Sequence, residues 1–147
     1  MESVNIFHVE NLEGRIDVAR ALGSSGTLMF IYDIAPGQRQ APYHYEYDEE
    51  WLLVVEGTPD LRTPDGEHTL APGEVVCFPA GPAGAHQLIN RSDAPVRALM
   101  FSSSRSPAVS VYPDSDKIGV WPGNDADDLV FKRDSAVPWA EGEEGFG

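Results

Sequence analysis

Short β-prone runs, each closed by a turn rich in Pro, Gly or Asn, recur from Thr27 to Ser102, and this rhythm admits few folds. Thr27 to Ile34 (TLMFIYDI) ends at Pro36-Gly37, and Leu52 to Val55 is a continuous apolar run, as in a strand covered on both faces. Leu61 to Thr63 and Glu67 to Leu70 flank Pro64-Asp65-Gly66, a hairpin signal in which proline presets one turn residue and glycine accepts positive φ. Beyond Pro72-Gly73 come Val75 to Phe78, a Pro/Gly-rich loop, His86 to Ile89, a turn from Asn90 to Pro95, and Val96 to Ser102. No long amphipathic helical pattern competes. The expected fold is all-β, a small antiparallel β-barrel or jelly roll that holds one modest ligand.

The most chemically dense stretch is Gly37 to Gly57, GQRQAPYHYEYDEEWLLVVEG, which packs one histidine and four carboxylates into the seven residues from His44 to Glu50. In an extended chain His44, Glu46, Asp48 and Glu50 share one face, while Tyr43, Tyr45, Tyr47 and Trp51 take the other. That row offers metal ligands, against the plainer reading of an acidic edge that keeps the sheet soluble. A second histidine, His86, lies in Gly73 to Asn90, GEVVCFPAGPAGAHQLIN.

Gly37, His44, Glu46, Glu50 and Gly57 resemble the first sequence motif of the cupin superfamily, and Gly73, Pro79, Gly81, His86 and Asn90 resemble the second. The spacings Glu50 to Gly57, Gly73 to Pro79 and His86 to Asn90 match, and fifteen residues separate the motifs. The departures are one extra residue between Gly37 and His44, Glu46 in place of the second histidine of a His-x-His pair, and two extra residues between Gly81 and His86. The resemblance implies a double-stranded β-helix with metal ligands His44, Glu46 (or a water in its place), Glu50 and His86. Two imidazoles and a carboxylate with open positions suit divalent Fe, and also Mn, Zn or Ni. Glu46 is either a ligand or a catalytic base.

Around the barrel core, residues 26–104, the chain reads as an N-terminal arm, 1–25, and a C-terminal extension, 105–147, that packs on the barrel as part of one domain. In the arm a short strand is expected near Asn5 to Val9, Ile16 to Leu22 is undecided, and His8 reads as a structural or surface residue. In the extension Val109 to Tyr112, Ile118 to Trp121 and Leu129 to Lys132 read as further strands. Cys77, the only cysteine, reads as a small buried core residue.

The formal charge of -14, with no cluster of Lys and Arg, argues against nucleic acid or an anionic membrane as partner. No apolar run approaches ~18 residues and the N-terminus lacks a charged-then-apolar leader, so a soluble, cytoplasmic protein is expected. The resemblance implies a metal-binding protein that acts on a small oxygen-rich metabolite by dioxygenase-, decarboxylase- or isomerase-type chemistry. Its alternative is a non-catalytic small-molecule or sugar-binding module, with or without metal. The β-prone runs outside the barrel would leave unpaired edges, so a homodimer joined through an arm, with Tyr43, Tyr45 and Trp51 in the contact, is the expected assembly.

Overall fold

The computed structural model describes residues 2–10, 14–103 and 105–145. Two walls face each other. The first is a five-stranded antiparallel sheet of β1 (Arg15–Asp17), β2 (Thr27–Ile34), β4 (Glu50–Glu56), β7 (Val75–Phe78) and β9 (Val96–Ser103), in the order β1-β2-β9-β4-β7. The second combines β3 (Tyr45–Glu46), β10 (Ala108–Tyr112), β11 (Lys117–Trp121) and β12 (Leu129–Lys132), in the order β12-β11-β10-β3, with the three-stranded set β6 (Gly66–Thr69), β5 (Asp60–Thr63) and β8 (Gln87–Ile89). Isolated bridges Arg39↔Ile89 and His44↔His86 stitch these two sets into one curved wall. The all-β jelly roll expected from the turn rhythm is what forms.

Period-two alternation builds the core. Leu52 and Val54 of β4 and Val96, Ala98 and Met100 of β9 point inward, where they meet Leu61, Phe78 and Leu88. Each large side chain so buried contributes about 1.5–3 kcal/mol. The opposite face of the first wall is also covered: Leu53 and Val55 pack with Ile31 and Leu99 beneath Val4, Ile6 and Val9 of the arm. The continuous apolar run of β4 is thereby explained, since both of its faces are lined. Arg97 ties the arm down; its guanidinium donates to the carbonyls of Ile6 and Val9, both at 3.1 Å, while pairing with Asp33 at 2.6 Å.

Glycine is needed where the chain turns hard. Gly57 closes β4 at φ 81°, and a Cβ there would lie 2.8 Å from both the Pro95 carbonyl oxygen and Val96 Cγ2. The hairpin follows the expected chemistry, with Thr63 opposite Gly66 across Pro64-Asp65.

Two expectations need correction, and one undecided segment resolves. Asn5 to Val9 is not a strand but a tight turn: the Asn5 carbonyl accepts from the amides of His8 (3.1 Å) and Val9 (2.9 Å), and its side chain accepts from the Phe7 amide at 3.0 Å. Asparagine offers the backbone a local alternative to a sheet ladder. The undecided segment splits into β1 and one helical turn, Val18–Ala21, capped by Asp17. Cys77 is exposed, because β7 is the outer strand of its sheet and only Val76 and Phe78 turn toward the core.

The arm lies on its own barrel, and of the aromatic row Tyr45 is buried, Tyr43 is half-buried and Trp51 stays exposed. Tyr45 is buried with Ala85 and Val111, Tyr43 lies under the Arg62 guanidinium at 3.9 Å, and Trp51 stacks on Phe101. A further exposed apolar edge is β12, where Leu129, Val130 and Phe131 are all exposed.

Candidate metal centre

His44 and His86 are direct cross-strand neighbours. Each accepts the other's amide through its own carbonyl, His44 N–H to His86 O at 3.1 Å and His86 N–H to His44 O at 2.8 Å, which puts both side chains on the inner face. Their rings lie 4.7 Å apart. Each imidazole is locked in the same way. Nδ1 of His44 is 2.8 Å from the Pro42 carbonyl and Nδ1 of His86 is 2.9 Å from the Gly84 carbonyl. A carbonyl can only accept, so Nδ1 carries the proton in both rings and the Nε2 lone pairs are left to face the cavity. Phe78 stacks on His86 at 3.8 Å and Tyr112 on His44 at 5.9 Å, fixing the ring planes.

The two extra residues before His86 account for one of these locks. Residues Pro82–Gly84 wind into a single 3₁₀ turn, and Gly84 sits so tightly that a Cβ there would lie 1.9 Å from the Pro79 carbonyl oxygen. That turn delivers the Gly84 carbonyl to His86. Asn90, which ends the second motif, has no ligand role in this arrangement: it is fully buried, its amide donates to the Ile34 and Ala94 carbonyls at 2.8 Å, and its oxygen accepts from Ser92.

Glu50 arrives from the opposite wall. Its Oε2 lies 3.6 Å from Nε2 of His86 and 4.0 Å from Nε2 of His44, and one ligand atom from each of the three residues falls within 4.8 Å of the others. Ligands each about 2.1 Å from a shared ion are ~3–3.5 Å apart, so a small contraction would close the site. His86 Nε2 is buried and has no hydrogen-bond partner among the described residues. The donor set therefore suits a divalent cation.

The electrostatics point the same way. Burial first, then the charges of Glu46 and Asp48, push the Glu50 carboxyl up to about 8. Burial first, then His44, push His86 down to about 4. Both shifts express the cost of charge in this cavity, and a bound cation offsets the one at Glu50.

The row expected along one strand breaks in two. The strand stops at Glu46 and resumes at Glu50, so His44 and Glu46 belong to one wall and Glu50 to the other. Asp48, in the intervening turn, pairs with Arg105 at 3.0 Å and accepts from Ser103. Glu46 lines the same cavity of about 530 Å³ but stands outside the three-residue cluster. Its Oε1 accepts from the Ser110 hydroxyl at 2.6 Å, and that hydroxyl accepts from Trp121 Nε1 at 2.8 Å.

Ser110, Tyr112 and Trp121 were not anticipated as site residues. The only signal was alternation: Ser110 interrupts the apolar run of Val109 and Val111, and β10 pairs with β3 so that Ser110 stands opposite Glu46.

Comparison with known proteins agrees with this architecture. The family model described as "Cupin domain" matches residues 30–102. A sugar phosphate isomerase from a cupin superfamily, from Silicibacter pomeroyi, is 27% identical, with a TM-score of 0.76, 88% of this chain and 83% of that chain being covered. A proposed sugar phosphate isomerase from Acidithiobacillus ferrooxidans is 22% identical, with a TM-score of 0.75 over 84% of this chain and 78% of that one. A polyketide cyclase from Streptomyces resistomycificus shares the fold at 21% identity, with a TM-score of 0.60 over 74% and 83% of the two chains. No functionally curated protein matches the chain in sequence.

Proposed function

The chain belongs to the cupin superfamily, and from that premise we propose that it is a metal-dependent enzyme that moves a proton within a small, hydroxyl-rich carbonyl compound. This is the isomerase-type branch of the chemistries open to the fold. One observation carries the reading: a single cavity holds the His44, Glu50 and His86 cluster and also a separate carboxylate, Glu46, anchored by its own hydrogen bond. The resemblance to the Silicibacter pomeroyi protein, named as a sugar phosphate isomerase, supports it.

His44, Glu50 and His86 would hold a divalent Fe, Mn, Zn or Ni ion, which supplies Lewis-acid polarisation of a carbonyl oxygen. Glu46 takes the proton from the hydroxyl-bearing carbon beside the carbonyl and returns it to the former carbonyl carbon, while the hydroxyl proton passes to the former carbonyl oxygen, so that atoms and charge balance. Ser110 donates to one Glu46 oxygen and leaves the other to reach the substrate. Leu28, Phe30 and Met100 line the cavity with apolar surface that limits water near the reacting carbon.

The test is deuterium uptake. The metal-loaded chain is incubated in D₂O with a panel of free and phosphorylated hydroxy-carbonyl sugars, and exchange is followed by NMR. Metal-dependent exchange at the carbon beside the carbonyl, lost in Glu46→Gln, is expected. Tight metal binding with no exchange across the panel would transfer the reading to a non-catalytic binding module.

For assembly, the reading is a homodimer in which a second copy covers β12, since Leu129, Val130 and Phe131 form an exposed apolar edge. Light scattering should give twice the 16.0 kDa chain mass, reverting to one chain in Val130→Lys.

A further inference from the structure

Arg15 stands directly opposite Tyr32 in the β1–β2 ladder, and Tyr32 stands opposite the core residue Ala98. Residues directly opposite in an antiparallel ladder share a face, so Arg15 looks inward, toward the cavity that it lines. Its guanidinium lies 5.0 Å from the centre of the Phe30 ring.

Of the two cations that line the cavity, Arg15 and Arg105, only Arg105 has a carboxylate partner among the described residues. Five of the chain's ten basic residues, Arg62, Arg91, Arg97, Arg105 and Arg133, pair with carboxylates among the described residues. The other cation of the cavity, Arg105, is one of these, held by Asp48 at 3.0 Å. Arg15 has no carboxylate within ion-pairing distance among the described residues, in a chain that carries 24 Asp and Glu. The acids at the cavity's edge, Asp125 and Asp128, belong to the segment between β11 and β12, on the other wall from β1.

A second feature points to the same ligand. Gln40 lines the same cavity, and its buried Oε1 has no hydrogen-bond partner among the described residues. Leaving a buried carbonyl unpaired costs about 1–3 kcal/mol, which a ligand hydroxyl would offset.

We propose that Arg15 is the anchor for the phosphate of a phosphorylated sugar or polyol, with Gln40 Oε1 accepting from one of its hydroxyls. The planar guanidinium matches two phosphate oxygens at once, and its exposed position at the rim lets a dianion keep part of its hydration. The other end of the ligand points to the His44, Glu50 and His86 cluster. That orientation rests on the metal-dependent reading above; the anchor does not.

The experiment titrates the full chain, metal-loaded and metal-stripped, with inorganic phosphate, fructose 6-phosphate, fructose and gluconate, by calorimetry and by the Arg15 Nε–H NMR signal. Fructose 6-phosphate should bind on the order of tenfold or more tighter than fructose, the size of a charge-assisted hydrogen bond, and the gap should shrink as salt is added. Arg15→Gln should erase the gap and Arg15→Lys should restore part of it. Gln40→Met should weaken fructose and fructose 6-phosphate alike.

Several results would overturn the proposal: equal affinity for the two sugars, gluconate matching fructose 6-phosphate, or no Arg15-dependent response to phosphate in either form. An intact Arg15-dependent preference in a chain that binds no metal would support the anchor and sink only the metal reading.

Discussion

The imidazole pair and Glu46 lie on the same wall of one cavity, yet they are held in different ways. His44 and His86 are fixed by backbone: an exchanged pair of amide hydrogen bonds, a carbonyl two residues before each ring, and an aromatic ring stacked on each. Glu46 is fixed by side chains from outside the two motifs, Ser110 and through it Trp121. Backbone locks survive most substitutions, whereas a hydroxyl relay can be removed by changing one residue. The comparison ties the imidazole pair to the backbone of the barrel and Glu46 to side chains of the C-terminal extension.

The largest effect should come from breaking the backbone-locked half. His44→Ala combined with His86→Ala should lower metal affinity well beyond the ~10–100-fold that outer hydrogen-bond partners cost, with the barrel still folded by circular dichroism. Metal retained in full would break the comparison outright.

Next in size is the contrast between the two carboxylates. Glu50→Gln should weaken metal binding on the order of a hundredfold, because a carboxylate ligand is replaced by a neutral amide. Glu46→Gln should leave metal affinity within a few-fold and reduce proton exchange by about a hundredfold or more, the contribution typical of a general base. Equal metal loss in the two variants would make Glu46 a ligand and erase the difference between the halves.

The pH dependence follows from Glu50. The metal needs it ionised, and in the metal-free fold it holds its proton up to about 8, so affinity should rise about tenfold per pH unit below that value and then level off. His86, pushed down to about 4, adds nothing to the slope above about pH 5. Stability of the metal-free chain should move the other way. Glu50 has a folded pKa raised above the ordinary ~4.3, so its protonated form favours folding and that stability is lost as pH rises toward 8. His86, with a lowered folded pKa, removes stability only as pH falls below its ordinary ~6.5. Between pH 6.5 and 8 thermal melts should therefore fall with pH for the metal-free chain, and Glu50→Gln should flatten that slope.

The smallest effects should sharpen the other half. Ser110→Ala should slow proton exchange by about tenfold without changing metal affinity, and Trp121→Phe should do so by only a few-fold, since it acts one hydrogen bond further away. A change in metal affinity in either variant would show that the two halves are coupled.

Much of this was legible because turns and ligands obey local rules. Gly57 needs positive φ and a close approach to Pro95 and Val96, and the Pro64-Asp65-Gly66 turn sets its own hairpin register. His44, Glu50 and His86 stood out by residue type and spacing. Three-dimensional relations were less accessible. Alternation predicted that His44 and Glu50 share a face, but the turn at 47–49 moves Glu50 to the opposing wall, and it reaches the histidines from there. Cys77 was read as buried from its apolar neighbours, yet its exposure depends on β7 being an outer strand, a property of strand order and not of local sequence. Ser110 and Arg15 were missed for the same reason: only the β10–β3 and β1–β2 pairings bring them to the cavity.

Anomalous diffraction from a crystal of the metal-loaded chain tests the central claim most directly. The account predicts one peak about 2.0–2.3 Å from Nε2 of His44, Nε2 of His86 and a Glu50 carboxylate oxygen, with Glu46 still bonded to Ser110. A peak coordinated through an Nδ1 atom, or one that draws Glu46 away from Ser110 into the ligand set, would contradict it.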